Sequence, residues 1–163
     1  MVYRNDSYEI YLETYIYKDD ALGRKIANAP IRAARRGVNV FVLIDGYGSK
    51  DLPRNMLENL RTGGVKALIY RPQISPWTFR RKRLRRLHRK IVVVDREIAF
   101  VGGINIIEDS KPTDMPPRYD YAVTVEGPLV DVIRLRRPFV IVDEAHNQGT
   151  PLAVDTLVRF NPA

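Results

Sequence analysis

The chain has no cysteine among its 163 residues. Disulfides and thiolate metal sites are therefore excluded. Histidine is nearly as scarce, with two copies, His88 and His146. No segment reaches the roughly 20 apolar residues that cross a bilayer, and residues 1–10 lack an apolar signal-peptide core. These absences set the expectation of a cytoplasmic protein. A strand-like run begins by Glu9 with almost no leader, which suggests a piece of something longer. Internal repeats and low-complexity tracts are also missing. What the chain does hold is 45% hydrophobic and 28% charged residues, enough for one soluble domain with a sizeable core. Lys and Arg number 27 against 19 Asp and Glu, a formal charge of +8. That excess favours anionic partners: nucleic acid, an acidic membrane surface or a phosphate substrate.

The hydrophobic pattern alternates strands with helices. Residues 9–17 (EIYLETYIY) are β-branched and aromatic and predict a strand. Asp19 and Asp20 suit a helix start, and Leu22, Ile26, Ala29 and Ala33 follow at helical spacing up to Gly37. Pro30 falls inside that run, where it costs ~3 kcal/mol, so a kink or break is expected there. Residues 38–44 predict a buried strand, 53–61 a short helix closed by Gly63-Gly64, and 65–70 another strand. Residues 71–87 hold Pro72, Pro76, Trp77 and the basic run Arg80 to Arg86, and predict a loop. Strands over 89–94 and 98–101 flank a turn at Asp95-Arg96-Glu97. A proline-rich loop at 108–118, a strand over 119–125 and a helix over 128–136 complete the pass. The expected class is α/β: a layered fold with a mixed, mostly parallel sheet flanked by helices.

One segment carries chemistry. Residues 88–105 read HRKIVVVDREIAFVGGIN and place His88, Lys90, Asp95, Gly102, Gly103 and Asn105 at the six fixed positions of one spacing pattern. Six such matches arise on the order of once in 10⁸ random starts. Side chains two apart on a strand face the same way, roughly 7 Å apart, so His88 and Lys90 can share one phosphate. Lys90 can supply positive charge to phosphate oxygens. His88 can attack phosphorus or move a proton. Gly102-Gly103 would let backbone approach closely, and Asn105 can donate to a phosphate oxygen.

These residues resemble the HKD motif of the phospholipase D superfamily. The flanks YLETYIYKDD, AARRGVNVFVLIDGYGS, RRLHRK, FVGGINI and YDYAVTVEGP are similar to the N-terminal half of bacterial cardiolipin synthases. The resemblance covers roughly residues 9–135 and implies one half of a two-motif pseudo-dimer. It implies a phosphohistidine mechanism: one motif's histidine attacks phosphorus, the second motif's histidine protonates the leaving alcohol, and no metal or other cofactor is needed. It further implies that phosphatidylglycerol serves as donor and acceptor and that glycerol is released. Carried over, His88 is the nucleophile or the acid–base, Lys90 and Asn105 hold phosphate with Gly102 and Gly103 beside them, and Asp95 supports the site without touching substrate. Asp120, in RYDYAVTV, takes the place of an acidic residue that orients the histidine. Gly103 stands where serine is common in the wider superfamily.

The basic run, preceded by Trp77 and Phe79, suits an anionic phospholipid headgroup surface. Nucleic acid is the less favoured partner. The expected place is peripheral, at the inner membrane surface.

Two departures qualify the resemblance. Only one HKD motif is present, because His146 has no lysine two residues on. The site is half a site unless a homodimer partner or a second HKD-bearing half completes it. The tail is also foreign. Residues 139–163 (FVIVDEAHNQGTPLAVDTLVRFNPA) resemble motif II of superfamily 2 helicases, yet the chain has no phosphate loop of the G-x-x-x-x-G-K-[ST] kind, so no ATPase is expected. The expected division is 1–136 for the catalytic domain and 137–163 for the tail. Three functions compete: a cardiolipin synthase-like phosphatidyltransferase half, a phosphodiesterase or nuclease working as a homodimer, and a silent remnant that binds anionic phosphate surfaces.

Overall fold

The computed structural model describes residues 8–71, 86–108 and 120–135. Among them run β1 (Glu9–Thr14), α1 (Ala21–Arg35), β2 (Asn39–Asp45), α2 (Arg54–Thr62), β3 (Lys66–Tyr70), β4 (Ile91–Val94), β5 (Ile98–Gly102), β6 (Ala122–Glu126) and α3 (Leu129–Leu135). The class is α/β, built on one six-stranded mixed sheet in the order β3-β2-β1-β4-β5-β6. The basic run over 80–85, Trp77, Phe79 and the tail over 137–163 lie outside the described residues.

The sheet is not mostly parallel. β1–β2 and β2–β3 pair parallel, whereas β1–β4, β4–β5 and β5–β6 pair antiparallel. The cause is connection length. Helices α1 and α2 supply the crossovers that parallel neighbours need, while β4 and β5 are joined by a turn that permits only antiparallel pairing. In that turn Asp95 and Arg96 have φ of 50° and 61°, and Glu97 N–H donates to the Val94 carbonyl at 3.0 Å. Three residues, 95–97, separate the paired Val94 and Ile98, and left-handed backbone at the first two reverses the chain tightly.

Strand alternation sets the two layers. Ile10, Leu12, Val40, Val42, Ile44, Ala67 and Ile69 face α1 and α2, against Ala27, Ile31, Met56 and Leu60. Val93 sits opposite Tyr11 in the register, out of phase with Ile10 and Leu12. It therefore faces the other way, and with Ala99 and Val125 it packs on Val130 and Ile133 of α3. Burial of each large apolar side chain contributes about 1.5–3 kcal/mol.

Helix α1 runs through Pro30 without the expected break. Ala27, Ile31 and Ala33 are buried on both sides of the proline, and this burial offsets the ~3 kcal/mol that the missing N–H and ring clash cost in an isolated helix. Asp20 caps α1: one carboxylate oxygen accepts from Gly23 N–H and the other from Glu108 N–H, both at 2.7 Å. Burial alone raises its pKa, but the N–H donors of Glu108 and Gly23 together with Lys18 outweigh it and hold the carboxyl below its ordinary value. A depressed carboxyl contributes stability above its unfolded pKa and loses it as pH falls through the folded one. Asp20→Asn is therefore expected to lower Tm at pH 6, with the gap from the parent protein closing as pH falls below the ordinary carboxylate range. Thermal melts across that range check it.

Candidate active site

Because β4 runs antiparallel to β1, the start of β4 lies at the edge where β1, β2 and β3 end. β5 ends at the same edge, with Val101 beside Ile91. Residues 15, 45–49, 87–90, 102–105 and 120 gather there. In open α/β sheets the carboxyl ends of the strands are the usual place for ligands.

His88 and Lys90 stand on the extended segment just before β4, not within the strand expected from residue 89. Their side chains still meet, with Lys90 Nζ 3.4 Å from His88 Nε2. With Lys90 charged, Nε2 is the acceptor of this contact and the ring proton belongs on Nδ1. His88 is exposed, so an incoming phosphate can reach the pair. Tyr15, just after β1, closes one side. Its ring centroid lies 4.6 Å from that of His88, and Lys90 Nζ lies 5.4 Å from it.

Asn105 is fixed from behind. Its Oδ1 accepts from Ile16 N–H at 3.2 Å, which leaves the amide NH₂ as the group able to donate to phosphate. Residues 105–108 are tied to 16–20 by Ile106 N–H to Ile16 O, Lys18 N–H to Ile106 O and the Asp20 bond to Glu108.

Asp95 lies at the far end of β4, roughly 15 Å from Lys90 along the strand. Its Oδ1 accepts from Glu9 N–H at 2.8 Å, and its own N–H donates to the Glu9 carbonyl at 2.9 Å. It pins the hairpin to the start of β1 and stays away from the phosphate site. Asp95→Ala is expected to cost about 1–2 kcal/mol of stability, read as a lower urea midpoint. Its effect on turnover should not exceed that loss.

The glycine pair is packed against protein. Gly102 N–H donates to the Lys90 carbonyl at 3.1 Å and Gly103 N–H to the Tyr121 carbonyl at 2.9 Å, so both donors are already engaged by protein. A Cβ on Gly102 would stand 2.3 Å from the Tyr121 oxygen. The pair allows the chain entering β6 to close on β5. Asp120 is brought to this edge beside Gly103, where a Cβ would lie 3.0 Å from its Oδ1. Its carboxylate makes no hydrogen bond to His88; among the described residues the imidazole's hydrogen-bond contact is Lys90.

Two features here escaped the sequence reading. Tyr15 reads as one more aromatic in a strand. The turn after β2, Asp45-Gly46-Tyr47-Gly48-Ser49, stands in sequence only as part of a resembling flank. Its signal was a buried strand ending in aspartate before a Gly-x-Gly-Ser turn. Beside Lys90 and Asn105 the surface opens into a groove of about 360 Å³, walled by Leu12, Leu22, Ile26, Phe100, Ile104 and Ile106.

The family profile "Cardiolipin synthase, PLD-like domain" matches residues 5–125. The chain belongs to that family. Cardiolipin synthase B of Escherichia coli (strain K12) is 42% identical over 125 residues, which is 76% of this chain and 30% of that protein. Cardiolipin synthase B of Salmonella typhimurium is 46% identical over 123 residues, 75% of this chain and 30% of its length. The match to these relatives thus spans about a third of their length. The phospholipase D family member Nuc from Salmonella typhimurium shares the fold, with a TM-score of 0.54 at 18% identity over 78% of this chain and 73% of its own. The helicase likeness of the tail gains no support: the family match ends at residue 125. Among the described residues of this PLD-like domain, no helix is long and apolar enough to cross a membrane.

Proposed function

We propose that this domain carries half of a phosphatidyl-transfer site of the cardiolipin synthase kind. The observation that carries the reading is the meeting of Lys90 Nζ with His88 Nε2 at an open strand edge. The steps balance as a double displacement. His88 Nε2 attacks phosphorus of phosphatidylglycerol, the bond from phosphorus to the glycerol oxygen breaks, and a second histidine gives that oxygen a proton. The hydroxyl of another phosphatidylglycerol then gives its proton to that second histidine, attacks phosphorus and breaks the bond to His88, which is freed. Lys90 and the Asn105 amide stabilise the charge that grows on the phosphoryl oxygens. The apolar groove next to these two residues suits the glyceride portion of a lipid better than a sugar-phosphate chain. An anionic bilayer surface fits the +8 charge.

Vesicles of phosphatidylglycerol supply the test. Cardiolipin and glycerol should form in equal amounts. Ile104→Asp, in the groove wall, is expected to cut lipid turnover about tenfold or more while sparing a small diester such as bis(p-nitrophenyl) phosphate. Equal loss on both substrates would contradict the lipid assignment.

A second reading is a phosphodiesterase or nuclease that acts as a homodimer. The chain's coverage of 73% of Nuc favours it, since that family member is of similar size. Hydrolysis of single-stranded DNA with no transfer between lipids would select it.

A further inference from the structure

We propose that Asp45 is the positioning residue of this site, holding His88 from two sides through the 45–49 turn. The inference rests on the reading of His88 as the reacting group. Asp45 ends β2 and is only 1% exposed. Its Oδ2 accepts from Leu87 N–H at 2.7 Å, and Leu87, itself buried, directly precedes His88. This bond spans 42 positions of sequence and fixes the backbone from which the imidazole projects.

The other oxygen, Oδ1, accepts from Tyr47 and Gly48 N–H, both at 2.9 Å. These two bonds shape the turn. Its Ser49 hydroxyl donates to the Tyr15 carbonyl at 3.0 Å and accepts from Tyr17 N–H at 2.8 Å. Gly48 packs so closely on Tyr15 that a Cβ would lie 2.3 Å from the Tyr15 oxygen. The same carboxylate thus sets Leu87 on one side of His88 and Tyr15, the ring against the imidazole, on the other. The Tyr47 ring adds a seat for the Arg86 guanidinium at 4.4 Å. A buried carboxylate that accepts three backbone N–H bonds is a rigid support, because each lost bond leaves an unsatisfied polar group inside the fold.

Asp45→Asn separates support from folding. The amide oxygen can keep the Tyr47 and Gly48 bonds, but its NH₂ must face Leu87 N–H, donor against donor. NMR of the full chain reads the imidazole directly. The expected result is a shift of the His88 ring signals in Asp45→Asn. Amide exchange at Leu87 should speed up at least about tenfold. On bis(p-nitrophenyl) phosphate, kcat should fall about tenfold or more with KM within about twofold. Leu60→Ala, buried at a distance and at least as destabilised, should leave the His88 signals in place.

Unchanged His88 signals in Asp45→Asn, or an equal shift in Leu60→Ala, would overturn the proposal. If Asp45→Asn does not fold, exchange in the parent protein decides: a Leu87 amide slowed as strand amides are supports the proposal, and one that exchanges freely overturns it. A parent protein with no turnover would count against the catalytic reading alone, since the ring and amide signals are read without substrate.

Discussion

His88→Ala is expected to remove turnover altogether, by at least about 10³-fold, while the protein melts where the parent does. The side chain is exposed and joins no apolar cluster, so its loss costs little stability. The loss is expected to be complete because the proposed double displacement has no nucleophile without Nε2. Lys90→Ala should follow at about 10²–10³-fold, the range for removing one preorganised charge contact to a transition state. The two losses should not add, since in the proposed mechanism both residues serve one phosphoryl group. Rates on phosphatidylglycerol and on a small diester, with melts of each variant, check this. A His88→Ala protein that keeps its rate would remove the motif from the mechanism.

Activity is expected to belong to a pair of motifs and not to a single copy. A phosphohistidine route needs one imidazole bonded to phosphorus while another protonates the leaving oxygen. One His88 cannot do both in the same step. Two copies about a two-fold axis would place two His88 side chains across one phosphate, an isologous arrangement. Specific activity should then fall on dilution below the dimer dissociation constant. Mixing the parent protein with a ninefold excess of His88→Ala should leave about a tenth of the activity per parent subunit, because random pairing places most parent subunits with a dead partner. Independence from dilution and mixing, in a sample shown to be monomeric, would contradict this.

The motif was legible because its chemistry is written in local spacing. His88 and Lys90 are two apart, and an extended backbone alone brings them to one side. Asp95 could be assigned a supporting role from the resemblance, and its bonds to Glu9 give the physical content. Other features depend on partners distant in the chain, and no local pattern announces these. Nothing near Asp45 in sequence tells that its carboxylate holds Leu87. Sequence cannot show that the Lys90 carbonyl takes Gly102 N–H, that the Tyr121 carbonyl takes Gly103 N–H, or that Tyr121 packs against Gly102. The same limit explains the sheet. Helical crossovers predict parallel neighbours, but the direction in which the chain returns after residue 71 is not encoded in strand periodicity, and β4 enters antiparallel to β1. Pro30 is the converse case. A correct local penalty is overridden by burial of Ala27 and Ile31 against the sheet.

In the proposed mechanism His88 becomes covalently bonded to phosphorus. Rapid mixing with phosphatidylglycerol, an alkaline quench and peptide mass spectrometry test it most directly, since a phosphoramidate at imidazole nitrogen survives base and is lost in acid. The expected product is a base-stable, acid-labile phosphoryl adduct on the peptide holding His88, formed as fast as turnover and absent from His88→Ala. Steady turnover with no adduct on that peptide, or with the adduct on another residue, would contradict it.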